Sequence, residues 1–154
     1  MAEDDFEGPG GTRLRLFRYV AHPDMVAVTL DNYNWTTKDE EEYELKYQFD
    51  EYYYDRTATG TVDGIHHGFV AFFPYTDFMD TFAKSTYLHV YKGDTAVDKL
   101  SLEGSAAGRA AFERCWTYAV ADDNAKTRER NRWKDIPKDP FGGNQQTDPR
   151  SSPE

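Results

Sequence analysis

Residues 39–55 concentrate more ionisable and aromatic side chains than any other stretch of the chain: Asp39-Glu40-Glu41-Glu42-Tyr43-Glu44-Leu45-Lys46-Tyr47-Gln48-Phe49-Asp50-Glu51-Tyr52-Tyr53-Tyr54-Asp55. Four consecutive carboxylates, followed by Glu44, Asp50, Glu51 and Asp55, raise the local negative potential. Tyr52, Tyr53 and Tyr54 add rings of the kind enriched at binding hot spots. A small aromatic-rich domain also uses tyrosine simply as a packing residue with a wet hydroxyl. The chemistry this combination suits is capture of a basic protein partner. The candidate binding residues are Asp39, Glu40, Glu41, Glu42, Glu44, Asp50, Glu51, Tyr52, Tyr53, Tyr54 and Asp55. A calcium site is not expected, because the EF-hand spacing and its glycine are missing.

Other reactive residues are sparse. The histidines are His22, His66, His67 and His89. Adjacent positions of a strand point to opposite faces, so His66 and His67 do not share one ion. No histidine pair has zinc-type spacing, and neither a metal nor a cofactor is expected. Cys115 is the only cysteine, which rules out an intrachain disulfide. Its spacing with Phe112, Trp116 and Ala119 places it on a buried helical stripe, where cysteine acts as a small hydrophobe and not as a nucleophile. No Gly-rich phosphate loop, paired-carboxylate motif or Ser-centred elbow is present. The reading is of a non-enzyme with no catalytic residue.

Those side chains must be carried by a scaffold, and composition bounds it. The chain has 154 residues, 38% hydrophobic and 16% aromatic, with a net charge of −10. That is room for one aromatic-cored domain with tails, and too aromatic for a disordered chain. Residues 1–100 carry 19 acids against 9 basic residues, and residues 101–154 carry 9 of each. The whole excess sits on the first two-thirds. Such a surface repels phosphate backbones, so no direct nucleic-acid contact is expected. Imitation of nucleic acid is the alternative: a DNA-mimic inhibitor of a nucleic-acid enzyme or host defence system, whose partner would be a nucleic-acid-binding protein. No apolar run reaches the roughly 20 residues of a membrane span. Residues 1–11 lack an export signal. Cytoplasmic location is the default expectation, and an exported one follows if a leader has been removed.

Periodicity supplies the elements. Tyr43, Leu45, Tyr47 and Phe49 alternate with Glu44, Lys46 and Gln48, the pattern of a strand with one buried face. Further strands are expected over 12–20, 25–30, 52–59, 65–73, 86–91 and 96–102. Turns are expected at His22-Pro23-Asp24, Asp63-Gly64 and Lys92-Gly93-Asp94. Thr76 or Asp77 is placed to cap a short helix with Phe78, Met79 and Phe82 inside. Ser105 is placed to cap a final helix over 105–121, whose Phe112, Cys115, Trp116 and Ala119 recur at helical spacing. The expected fold is mainly β (α+β): an antiparallel β-sandwich-like domain of about seven strands over 12–121, with one short helix and a C-terminal helix packed on the sheet. Residues 1–11 and the mixed-charge, Pro/Gly-containing residues 122–154 are expected to be disordered.

Two segments carry a family resemblance. Phe78-Met79-Asp80-Thr81-Phe82-Ala83-Lys84-Ser85-Thr86-Tyr87-Leu88 leads into a strand, and Leu100-Ser101-Leu102-Glu103-Gly104-Ser105 opens a helix that runs through Phe112-Glu113-Arg114-Cys115. With Asn34-Trp35 and the strand after it, this resembles small, mostly exported bacterial domains with a Ser-Leu-x-Gly-Ser signature before a closing helix, over about residues 12–119. Its end is loosely similar to the invasion-associated locus B proteins, which are β-sandwiches. The resemblance implies a fold and supplies no catalytic residue. It also implies a second cysteine paired with that of the closing helix, which this chain does not have.

Overall fold

Alternating and β-branched runs become strands in the computed structural model, which describes residues 11–134 and 136–142 in full and residues 2–7 by backbone pairing alone. In chain order these are β1 (Ala2–Glu7), β2 (Arg13–Tyr19), β3 (His22–Asn32), β4 (Glu42–Phe49), β5 (Tyr52–Asp63) and β6 (His66–Pro74). Helix α1 (Tyr75–Lys84), β7 (Tyr87–Lys92), β8 (Thr95–Ser101) and helix α2 (Ser105–Lys134) follow. The strands form one antiparallel sheet in the order β1-β2-β3-β6-β5-β4-β7-β8, curled into a half-barrel. The mainly β, antiparallel architecture with one short and one C-terminal helix is the one expected. A single curled sheet replaces two facing layers, because its own curvature and α1 together enclose the apolar face.

Strand alternation decides which side chains are enclosed. Leu14 and Leu16, Val26 and Val28, Leu45 and Tyr47, Phe69 and Phe73, Leu88 and Val90 all face inward and are buried. Helix α1 lays Phe78, Met79 and Phe82 onto this face, with Phe78 ring centroids 4.7 Å from Phe73 and 5.4 Å from Phe49. Burial of such side chains contributes about 1.5–3 kcal/mol each. In α2, Phe112 is buried and Trp116 packs at the edge of the core. Arg18 lies between two rings, its guanidinium 3.6 Å from the Tyr75 centroid and 4.1 Å from that of Trp116, and Nε donates to the Pro23 carbonyl at 2.7 Å. That stack ties β2 to both helices.

Several local expectations are corrected. The turn expected at His22-Pro23-Asp24 falls two residues earlier: Tyr19 pairs with His22 and the chain reverses at Val20-Ala21. Pro23 is tolerated near a strand start, where a missing donor is least disruptive. Pro74, with φ −57°, precedes α1, and no side chain caps it, so Thr76 and Asp77 are already helical. Residues 2–7, expected to be disordered, pair with β2, which sets Asp5 opposite Arg15 and Glu7 opposite Arg13 in register. Cys115 is exposed. The docked stripe of α2 is narrow, taking Phe112 and Trp116 at i, i+4 and leaving the i+3 position in solvent.

The chain divides into two compact units after Ala119. In the second, residues 122–134, also expected to be disordered, continue α2. Polar composition does not forbid a helix rich in Arg and Lys, which are good helix formers, and pairs such as Lys126–Asp122 at 2.8 Å and Arg132–Glu129 at 3.0 Å support it. Residues 143–154 lie outside the described residues.

Candidate functional site

The β4–β5 hairpin distributes the candidate residues. Its two-residue turn, Asp50-Glu51, joins Phe49 to its register partner Tyr52. Asp50 has φ +40°, a conformation that two-residue hairpin loops require and aspartate accepts more readily than most residues. Its carboxylate accepts the backbone N–H groups of Thr86 at 2.9 Å and Tyr87 at 3.3 Å, tying the turn to the start of β7. At the far end of β4, Asp39 to Glu41 occupy the β3–β4 connection and Glu42 opens the strand. Gly60 pins that loop from β5: its N–H donates to the Glu41 carbonyl at 2.7 Å, and its carbonyl accepts from the Glu40 N–H at 2.9 Å. A Cβ on Gly60 would collide with the Lys38 carbonyl, so glycine is needed for this close approach.

The two acidic groups are therefore separated by the whole of β4, an 8-residue strand and so roughly 23 Å at 3.3 Å per residue. Between them the outer face is mixed. Glu44 accepts from the Thr57 hydroxyl at 2.7 Å. Lys46 opposes Asp55 and stands 4.9 Å from the Tyr53 ring centroid. The acids are close along the chain; the extended strand holds them apart in space.

Alternation also divides the tyrosines. Tyr53 lies on the outer face with Gln48, its register partner, and is 61% exposed. Tyr52 and Tyr54 turn the other way, toward α1. Tyr52 is 67% exposed, whereas Tyr54 is half-buried and meets Phe49 and Phe73 edge-on at 6.0 and 5.4 Å. The Tyr54 hydroxyl lies 3.2 Å from Thr81 Oγ1 and donates to the Asp77 carbonyl at 3.4 Å. Arg56 covers the Tyr54 and Phe73 rings from 5.4 and 5.1 Å.

This arrangement opens a cleft of about 600 Å³ between the β4–β5 turn and α1. Asp50, Glu51, Tyr52 and Tyr54 form one wall, and Asp77, Asp80, Thr81, Lys84 and Ser85 the other. Four carboxylates thus face one ammonium. Two are committed: Asp50 to the amides above, and Asp80 to Arg109 at 2.6 Å. Glu51 and Asp77 have no side-chain hydrogen bond or ion pair among the described residues. A cation entering here meets two free carboxylates and two tyrosine rings. Of the sequence candidates, Asp50, Glu51, Tyr52 and Tyr54 come together. Asp39, Glu40, Glu41, Glu42, Glu44, Tyr53 and Asp55 do not join them. The α1 wall is not legible in the sequence, where nothing signals that this helix packs beside a hairpin turn 25 residues earlier; Asp77 stands out there only as a cap.

The histidines serve locally. His67 Nδ1 lies 2.8 Å from the Thr37 carbonyl and His89 Nδ1 3.1 Å from the Tyr91 hydroxyl. Among the described residues no group of three or more His, Cys, Asp or Glu side chains is placed to hold a metal ion, and no helix is long and apolar enough to cross a membrane. No family model, curated protein or solved structure matches the chain.

Proposed function

We propose that this protein is a non-catalytic binding domain whose cleft between the β4–β5 turn and α1 receives a basic side chain of a protein partner. The observation that carries the reading is the pair of uncommitted carboxylates, Glu51 and Asp77, facing a cleft edged by Tyr52 and Tyr54. Lysine and arginine offer a charge for the carboxylates and a stem or plane for the rings. The excess acidity of residues 1–100 adds long-range steering of a basic partner toward the domain. Mimicry of DNA draws less support, because a phosphate-like ridge needs closely spaced carboxylates, and Lys46 interrupts the acids of this hairpin.

The test is binding of a fluorescent peptide carrying two lysines and two arginines, read by anisotropy at low and moderate salt. Glu51→Gln with Asp77→Asn should weaken binding about tenfold. Glu40→Gln with Glu41→Gln and Glu42→Gln should slow association a few-fold and leave dissociation unchanged, as remote charges act mainly through steering. Equal affinity for the parent and the Glu51/Asp77 variant contradicts the proposal.

A further inference from the structure

A second cavity lies at the other end of the half-barrel. Helix α1 closes the end near Phe49 and Phe73. At the opposite end the β3–β4 connection lies over the inner face, and Trp35 stacks on Phe69 at 5.4 Å with planes 10° apart. Beside that stack is a cavity of about 470 Å³, within the range of small-molecule sites, which favour barrel mouths. Its walls are Trp35, Tyr43, Leu45, Phe69 and Val97. Its rim carries Lys38 and Lys92, and neither forms an ion pair among the described residues. Lys92 Nζ stands 5.7 Å from the Tyr43 ring centroid. Glu41, the one acid on the lining, already accepts from the Tyr43 hydroxyl at 3.1 Å. Asp39, Glu40 and Glu42 are exposed and off the lining. Thr37 is on the lining, but its Oγ1 is buried away from the surface, with no hydrogen-bond partner among the described residues.

We infer that this cavity binds a small planar aromatic acid, its ring against Trp35, Phe69 and Tyr43 and its carboxylate at Lys92 and Lys38. Apolar walls admit a ring, and two unpaired ammonium groups at the mouth select an anion against the acidic background of the domain. The site is separate from the acidic cleft and of opposite charge preference, so the two inferences stand or fall independently.

Three isosteric probes decide it: 2-naphthoate, 2-naphthylmethanol and 2-naphthylmethylammonium, titrated into the full isotope-labelled chain. Naphthoate should bind saturably and shift the Trp35 indole N–H, assigned by its loss in Trp35→Phe, with the ammonium probe at least tenfold weaker. Lys92→Gln should lower naphthoate affinity about fivefold. Val97→Trp, which fills the cavity, should abolish binding while leaving the dispersion of the spectrum native. The inference is overturned if the ammonium probe binds as tightly as naphthoate, if Val97→Trp leaves binding intact, or if no probe binds saturably.

Discussion

Removing the hydroxyl of Tyr47 should stabilise the domain. Tyr47 is fully buried among Phe69, Phe73 and their neighbours, and its hydroxyl has no hydrogen-bond partner among the described residues. A buried hydroxyl left unpaired costs about 1–3 kcal/mol. Tyr47→Phe keeps the ring and its edge-on contacts, so it should gain about 1–2 kcal/mol and raise Tm by roughly 2–8 °C. Burial also pushes the Tyr47 phenol far above its ordinary range. Its folded pKa is raised, so its contribution is intact below pH ~10 and is lost as pH rises beyond, because the unfolded chain alone ionises there. Between pH 8 and 11 the advantage of the variant should therefore widen by about 1.4 kcal/mol. Tyr75, pushed up by burial and then by Glu113, keeps some alkaline sensitivity in both proteins. Urea melts of parent and variant at pH 8 and 11 provide the assay. A Tyr47→Phe protein less stable than the parent by 1 kcal/mol or more, or a gap that does not widen with pH, refutes the reasoning.

Arg18→Lys should cost about 1–2 kcal/mol, because a point ammonium cannot stack between Tyr75 and Trp116 as a guanidinium does; a melt indistinguishable from the parent would show the stack is incidental. Trp116→Ala, an edge-of-core truncation, should fall below the roughly 3–5 kcal/mol of a fully buried aromatic, which chemical denaturation can check. Gly60→Ala should destabilise by more than about 1 kcal/mol and shift the amides of residues 38–42 in a heteronuclear spectrum, since the new methyl meets backbone; an unchanged loop would contradict the close approach. Cys115 should react fully with a thiol reagent in native buffer without loss of the folded circular dichroism signal, whereas a buried thiol reacts only on unfolding.

Much of the scaffold is legible in the residues. The period-two runs at 43–49 and 86–91, and the apolar spacing of Phe78, Met79 and Phe82, specify faces as well as elements, so alternation and helical spacing alone pick out the buried side chains of β4, β7 and α1. The α2 stripe is legible only in part. Periodicity marks Phe112, Cys115 and Trp116 alike, but how wide a stripe is covered depends on the surface it docks against, and here Cys115 is left outside. The pairing of residues 2–7 is hidden because edge-strand formation depends on a partner strand and not on the segment's own hydrophobicity. The site divides along the same line. Composition singles out Asp50, Glu51, Tyr52 and Tyr54, and it groups them with Asp39–Glu42 because they are close in the chain. Distance along a strand reverses that grouping, and the contribution of α1 is a purely tertiary juxtaposition.

The central claim, that a basic side chain enters the cleft between the β4–β5 turn and α1, is tested most directly by mapping where it binds. Isotope-labelled protein should be titrated with a short blocked peptide containing one lysine and one arginine, and in parallel with the same peptide carrying norleucine and citrulline. The prediction is saturable shifts at Glu51, Tyr52, Tyr54, Asp77, Thr81 and Lys84 with the charged peptide, and none with the neutral one. Shifts confined to residues 39–42, or the same response to both peptides, would contradict it.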